Sequence, residues 1–250
     1  SVEDLTRSDE TEFTEEVFSF PPVRIAVVAH KENDWFQESV ASFANLNYLD
    51  KQLTVLTTGQ MEWVEPIVSQ YFPDAEILEV DPEAGLGANF NAVLSNHDEP
   101  AFYLFCHHDV ALAPDALRLM VEESYRSNAA VVGPKVVNWE RPNELLDVGN
   151  VMNSLAVAVQ RVEAGEIDQE QFDSVEQVFA VSNTAFLVRA DLFRALGGFD
   201  EEMGMFGEDL DFCWRAQIAG GKIILVPGAI ARHRDESGEY QTNPKRSRLM

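Results

Sequence analysis

Residues 23–80, VRIAVVAHKENDWFQESVASFANLNYLDKQLTVLTTGQMEWVEPIVSQYFPDAEILEV, decide the fold class of this chain. Val23 to Ala29 is a short β-branched run of the kind buried on both faces of a parallel sheet. Asn33 or Asp34 can cap a following helix, in which Phe36, Val40, Phe43 and Ala44 fall at helical spacing. Leu53 to Thr57 reads as a second strand stopped by Gly59. A helix through Val64, Ile67, Val68 and Tyr71 follows, closed by Phe72-Pro73, and Ala75 to Val80 makes a third strand. Strands alternating with helices predict an α/β fold with a mostly parallel, doubly wound sheet.

Outward from this core, the same alternation continues. Gly85 to Asn91 (GLGANFN) opens a helix reaching about Leu94, and Ala101 to Cys106 is a fourth strand ending directly in His107-His108-Asp109. A helix over 114–127 leads to a strand over 130–133. Residues 151–177 turn acidic and are read as an inserted pair of helices or a long covering loop. The core pattern resumes over Val178 to Arg189, then a helix over 190–196, and closes with the strand KIILVP. Upstream, Ser1 to Phe20 is rich in Asp, Glu, Ser and Thr and ends at Pro21-Pro22, as an acidic arm would. The segment 236–250 carries Pro and basic residues and is read as a flexible tail. There is no internal repeat.

Composition narrows the function classes. The chain has 250 residues, 46% of them hydrophobic, enough for one large buried core. Its 43 Asp plus Glu against 18 Lys plus Arg give a net charge of -25. Such a balance argues against nucleic-acid partners, whose phosphates demand Lys and Arg. It also means that a polyphosphate ligand needs local help from a cation or from backbone N–H groups. Two cysteines, Cys106 and Cys213, sit in apolar runs as reduced core thiols. No stretch reaches the apolar length of a membrane span, and no signal peptide is read. The expected setting is therefore a reducing one: cytoplasmic, or the inner face of a membrane. A start at Ser1 rather than Met leaves open a processed chain or a piece of a larger, membrane-associated protein.

Three constellations carry metal- or ligand-capable groups. In an open α/β sheet, ligands bind outside the carboxyl ends of the strands, which is where His107, His108 and Asp109 stand. Alternation along an extended segment lets His107 and Asp109 face one way and His108 the other. A strand-end carboxylate suits Mg²⁺ or Mn²⁺, and an imidazole favours the borderline Mn²⁺. The bland alternative is a surface turn with two histidines. His233, after the last apolar strand, is the natural third ligand if Asp109 is the first. Glu208-Asp209-Leu210-Asp211 opens a helical run, where carboxylates are held by free N–H groups and the helix dipole. They are either catalytic carboxylates or an acidic first turn. Gly85-Leu86-Gly87 ahead of a helix is either a phosphate approach or a tight turn.

Taken in order along the chain, these segments resemble the family-two glycosyltransferases and their A-type nucleotide-binding fold. The resemblance runs from about Val23 to His233. VRIAVVAHKEN is similar to the opening strand and loop that touch the nucleotide, and AGLGANFNAVL to the family's Gly- and Asn-rich segment. YLFCHHDVALAPDAL stands in the place of the metal-binding Asp-x-Asp motif. The most specific match is FLVRADLFRALGGFDEEMGMFGEDLDFCWRAQIAGGKIILVPGAIARH, with Gly-Gly-Phe-Asp, Glu-Asp-x-Asp and a terminal His at the expected intervals.

The resemblance implies one catalytic domain over 23–235, with a nucleotide-binding half at 23–110. The acceptor half, 111–235, carries the acidic helical insert 151–177. It implies an inverting transfer from a nucleoside-diphosphate sugar to a hydroxyl of a glycan, a lipid-linked acceptor or a cell-surface polysaccharide, assisted by Mn²⁺ or Mg²⁺. Asp109 is implied as the main metal ligand, with His107 and His233 as its partners. Asp209 is implied as the catalytic base, with Glu208 its neighbour and rival. Asp211 is read as supporting the helix or the acceptor site, and residues 181–184 as shaping the acceptor side. Ala29, His30, Glu32, Thr58, Gly85, Gly87, Asn91 and His108 are assigned to the donor nucleotide. Two positions depart from the family pattern. His107 replaces the first Asp of the metal motif, and Thr57-Thr58-Gly59 stands where relatives often carry a base-reading Asp. The Gln-x-x-Arg-Trp signature of processive synthases is missing, which favours one or a few sugars per encounter. The alternatives are a non-catalytic nucleotide-sugar-binding or regulatory domain, and a nucleotidyltransferase. The latter would carry a Gly-rich basic loop where Ala29-His30-Lys31-Glu32 stands.

Overall fold

Strand β1 (Val23–Ala29) is buried along its whole length and serves two cores at once. Val23, Ile25, Val27 and Ala29 face one apolar cluster, and Ala26 and Val28 face the other. That two-sided burial is why the run lacks the polar alternation of a half-exposed strand. The chain is described by a computed structural model over residues 20–30, 32–59, 61–96, 99–155, 157–203 and 207–234. The arm expected over 1–22 lies outside these residues except for 20–22, and the tail expected over 236–250 lies wholly outside them.

After β1 come α1 (Phe36–Ala44), β2 (Lys51–Thr57), α2 (Met61–Tyr71), β3 (Glu76–Glu79) and α3 (Leu86–Phe90), which continues as a 3₁₀ turn over Asn91–Ser95. The Asn33 side chain accepts the Phe36 N–H at 2.8 Å, the entry to α1 expected of that residue. The chain then forms β4 (Phe102–His107), β5 (Val110–Leu112), α4 (Ala116–Ser127), β6 (Ala129–Asn138), β7 (Leu145–Asp147), β8 (Asn150–Met152), β9 (Ala158–Gln160) and β10 (Glu176–Gln177). It closes with β11 (Ala185–Arg189), α5 (Ala190–Ala195), α6 (Glu208–Ile218) and β12 (Lys222–His233).

The main sheet runs β10-β12-β6-β11-β4-β1-β2-β3. β4, β1, β2 and β3 are mutually parallel, as are β6 and β12, while β11 is antiparallel to both its neighbours. The result is an α/β domain with a mostly parallel central sheet and helices on both faces. α1, α2 and α4 cover the face holding Phe36, Phe43 and Met120. α3, α5 and α6 cover the other face through an aromatic cluster of Phe90, Phe105, Phe193, Phe199 and Phe212, with ring centroids 4.8–6.1 Å apart where they touch. Each such pair adds about 0.5–1.5 kcal/mol beyond its buried area. Among the described residues, no helix is long and apolar enough to cross a membrane.

Two elements differ from the sequence reading. Residues 151–177 hold no helix among those described. They form β8, β9, β10 and turns. Asn153 Oδ1 accepts the N–H groups of Leu155 and Val157, and Asp168 Oδ1 that of Glu170. Side chains that capture local N–H groups in this way compete with helical hydrogen bonding. The segment is fastened to the sheet: the buried Lys135 ammonium of β6 meets Asp168 at 2.8 Å and also Asp173. The other difference is length. β6 and β12 do not stop near Pro134 and Pro227 but run on to Asn138 and His233. A register shift between Val226 and Ile230 absorbs the prolines, which cannot donate to the ladder. That extension carries His233 back to the working edge of the sheet.

Candidate active site

Sheet register assembles one rim from distant residues. β1 and β4 pair Val28 with His107, and β1 and β2 pair Ala29 with Thr57. Ala29, His30, Thr58, His107 and His108 therefore share the carboxyl ends of adjacent parallel strands. Thr58 N–H donates to the Ala29 carbonyl at 3.3 Å, and the Thr58 hydroxyl to the His30 carbonyl at 3.4 Å. The His30 and His108 rings meet edge to face at 6.2 Å. Burial, and then the nearby His108, pushes the His30 imidazole below its ordinary value. Glu32 is exposed on the same loop.

His107, Asp109 and His233 converge beside this rim. β12 pairs with β5 so that His233 lies opposite Val110, next to Asp109. The Arg234 N–H donates to the Asp109 carbonyl at 3.2 Å. His233 Nε2 lies 3.2 Å from Asp109 Oδ1, and the His107 and His233 rings are 5.5 Å apart. One ligand atom from each of the three residues lies within 4.8 Å of the others. Two metal–ligand bonds of roughly 2.1 Å span about 4.2 Å, so a small inward rotation closes the set on an ion. Burial pushes the His107 imidazole down to about 3, with His233 adding to the effect, and a neutral ring is the form that ligates. Burial alone would raise the Asp109 carboxyl, but the His233 hydrogen bond and charge outweigh it and hold it well below the usual carboxylate range. Two imidazoles and one carboxylate are a donor set that fits a divalent ion. His108, in the turn that follows β4, faces His30 instead.

The acidic pair stands on the first turn of α6, after Gly207 in the left-handed region at φ 95°. Glu208 and Asp209 are 2% and 6% exposed. Asp209 Oδ2 accepts the Asn183 N–H at 3.2 Å, and Glu208 Oε1 accepts Asn183 Nδ2 at 2.6 Å. Asn183 Oδ1 faces His107 Nε2 at 3.0 Å. One buried asparagine thus touches both clusters. Sequence reading included residue 183 only within a segment shaping the acceptor side. No local motif marks this role, because it depends on β11 and β4 pairing Ala185 with Cys106.

In the Gly- and Asn-rich segment, Gly87 and Asn91 are also engaged by the fold itself. A Cβ on Gly87 would lie 2.9 Å from Phe199 Cβ and 3.0 Å from Glu208 Cγ, so this glycine admits Glu208 to the site. Gly85 is the N-cap of the short α3. The Asn91 amide is taken up by the chain itself: it donates to the Phe199 carbonyl at 2.8 Å and accepts the Phe199 N–H at 2.9 Å. It clasps the Gly-Gly-Phe-Asp turn, where Gly198 has φ 79° and a Cβ would collide with Asn91 Oδ1. Asp211 supports the same turn at one remove. It pairs at 2.7 Å with Arg215, which donates to the carbonyls of Leu196 and Gly198.

A family model described as "Glycosyltransferase like family 2" matches residues 21–248. A pre-mycofactocin glycosyltransferase of Mycobacterium tuberculosis is 42% identical over 53 residues, 21% of this chain. The chain matches only 11% of that relative's length. Among solved structures, GalNAc-T7 with UDP, GalNAc and Mn²⁺ superposes with a TM-score of 0.68 at 11% identity, covering 86% of this chain and 43% of that one. Staphylococcus aureus TarS ("S. aureus TarS") gives 0.63 at 16% identity, covering 88% and 37%. At these identities the two structures speak to the fold alone.

Proposed function

The chain belongs to the glycosyltransferase-like family 2, and on that premise we propose that it transfers a sugar from a nucleoside-diphosphate donor to a hydroxyl acceptor, inverting the anomeric centre. The observation that carries this reading is the joining of two clusters through one residue. An ion-capable set, His107, Asp109 and His233, and a carboxylate pair, Glu208 and Asp209, are both held by Asn183.

In this reading, residues 23–110 serve the donor and residues 111–235 the acceptor. His107, Asp109 and His233 would hold a divalent ion, Mn²⁺ before Mg²⁺, which offsets charge on the departing diphosphate. Ala29, His30, Thr58 and His108 line the adjoining rim and face the nucleotide. Asp209 takes the proton of the acceptor hydroxyl while the hydroxyl oxygen bonds to the anomeric carbon and the bond to the diphosphate breaks. The N–H groups of Asn183 and Leu210 donate to its carboxylate and fix its direction. Glu208 is the neighbouring carboxylate and the rival for this role. The acceptor is a glycan, a lipid-linked sugar or a cell-surface polysaccharide, and transfer is non-processive, in line with the missing Gln-x-x-Arg-Trp signature. A reducing, cytoplasmic setting at a membrane's inner face accords with Cys106 and Cys213 both being buried and unpaired.

The test is release of nucleoside diphosphate from a panel of donor sugars, with Mn²⁺ and with a chelator. Release that needs Mn²⁺ supports the reading. A protein that turns over no donor, and whose melting point no donor or nucleoside diphosphate raises, overturns it.

A further inference from the structure

Asn183 sits where three constraints meet. The antiparallel register of β11 on β4 brings the turn before β11 over the end of β4, and His107 N–H donates to the Thr184 carbonyl at 3.2 Å. Ser182 Oγ accepts the Thr184 N–H at 3.1 Å and lies 2.8 Å from the Thr184 hydroxyl, which stiffens the turn on both sides of Asn183. The asparagine is 3% exposed, and its side chain points between two functional groups rather than into the core.

Its chemistry allows one arrangement with an ionised Glu208. The amide nitrogen is the donor, and the carboxylate oxygen at 2.6 Å is its acceptor. The amide oxygen is then the atom turned to His107 Nε2 at 3.0 Å, and an amide oxygen only accepts. The ring proton of His107 must therefore lie on Nε2. On the other side, the Asn183 backbone N–H holds Asp209. One residue thus sets the tautomer of a ring in the first cluster and the directions of both carboxylates in the second.

We infer that Asn183 is the positioning residue of this site, holding the His107 proton on Nε2 for the ion-binding cluster and aiming Glu208 and Asp209 from the same turn. The inference rests on the transfer reading for its purpose, and on local geometry for its content. Groups that orient a metal-ligating histidine from behind commonly change ion affinity by about 10- to 100-fold when removed.

The test begins on metal-free protein carrying ¹⁵N-labelled histidine, near neutral pH. In the parent, the His107 ring nitrogens should report the Nε2–H tautomer. Asn183→Ala removes the acceptor, and the Nδ1–H share should rise. Mn²⁺ affinity, measured by calorimetry with the ion alone, should fall by roughly 10- to 100-fold. Asn183→Asp keeps an acceptor for His107 but turns an oxygen toward Glu208. It should hold the parent tautomer while turnover falls, splitting the two roles. An Nδ1–H tautomer in the parent overturns the assignment without any variant, so a misfolded Asn183→Ala protein does not shelter it. Unchanged tautomer and unchanged Mn²⁺ affinity in a folded Asn183→Ala protein overturn it equally. The tautomer is read without donor or acceptor. If it responds to Asn183→Ala while no donor is turned over, the transfer reading fails and the positioning assignment stands.

Discussion

His107 and Asp109, at the end of β4 and in the turn after it, meet His233 from the end of the distant strand β12, whereas Glu208 and Asp209 are neighbours on the first turn of one helix. The first cluster depends on register: β5 against β12 brings His233 beside Asp109, and β11 against β4 brings Asn183 to His107. Packing governs the second. α6 rests through Phe212 on the aromatic cluster, and its first turn presses on Gly87 of α3. A strand-end set of this kind can adjust to an ion by small side-chain rotations. The helix-borne pair is held by backbone N–H donors to Asp209, the Asn183 side-chain amide on Glu208 and a close-packed glycine, which suits a group that must act in one direction. Damage to one cluster should therefore leave a recognisable part of the other's behaviour intact.

The largest expected effect lies on the helix side. Asp209→Asn keeps the shape of the side chain and one of its two N–H contacts, but it cannot accept a proton. Turnover should fall by roughly 10²–10⁴-fold while donor binding stays near the parent's. Glu208→Gln is the matched control. Near-full activity of Asp209→Asn beside a dead Glu208→Gln would move the base to Glu208, and full activity in both would make the pair structural.

On the strand side, Asp109→Ala removes the only carboxylate of the triad. The increment in donor affinity conferred by Mn²⁺ should disappear in calorimetry, with the melting point of the metal-free protein little changed. Donor affinity that still responds to Mn²⁺ would falsify the assignment of the ion to these three residues.

Gly87→Ala sharpens the contrast. The added methyl lands against Phe199 and Glu208, and overpacking of this kind costs about 1–3 kcal/mol. The melting point should drop and turnover with it, while binding of Mn²⁺ alone is retained. Loss of Mn²⁺ binding in a folded Gly87→Ala protein would mean that the two clusters are not separable.

The smallest effect expected is an acid dependence on the strand side. Burial and His233 hold the folded His107 imidazole near 3, below its ordinary 6.5. The unfolded chain therefore takes up a proton that the folded site refuses. Stability is full above 6.5 and declines as pH falls toward 3, by at most about 1.4 kcal/mol per pH unit, the limit for a single proton. His107→Asn should flatten this decline in melting curves taken from neutral pH downward. An unaltered slope would show that other groups govern it.

Much of this molecule is legible without coordinates, for reasons that particular residues make clear. VRIAVVA and AFYLFC announce buried parallel strands because burial on both faces leaves little room for polar side chains. Gly-Gly-Phe-Asp followed by Glu-Asp-x-Asp is recognisable because neighbours on one turn keep their spacing in any fold. Residues 151–177 were less readable. Their acidity looks helical, yet Asn153 and Asp168 divert the local N–H groups, and Lys135, distant in sequence, fastens the segment down. Asn91 is a motif residue whose hold on Phe199, 108 positions away, no local spacing announces.

The sequence by itself determined the α/β class, the family, the strand-end histidines and the acidic helix start. These follow from side-chain type at short spacing, which hydrophobic burial and local hydrogen bonding read directly. Only the tertiary structure decided how β12 carries His233 to within 3.2 Å of Asp109, that Gly87 makes room for Glu208, and that Asn183 touches both clusters. Each of those contacts joins segments whose separation in the chain carries no periodic signal. They exist because sheet register and helix packing, summed over the whole domain, leave those side chains a single place to go.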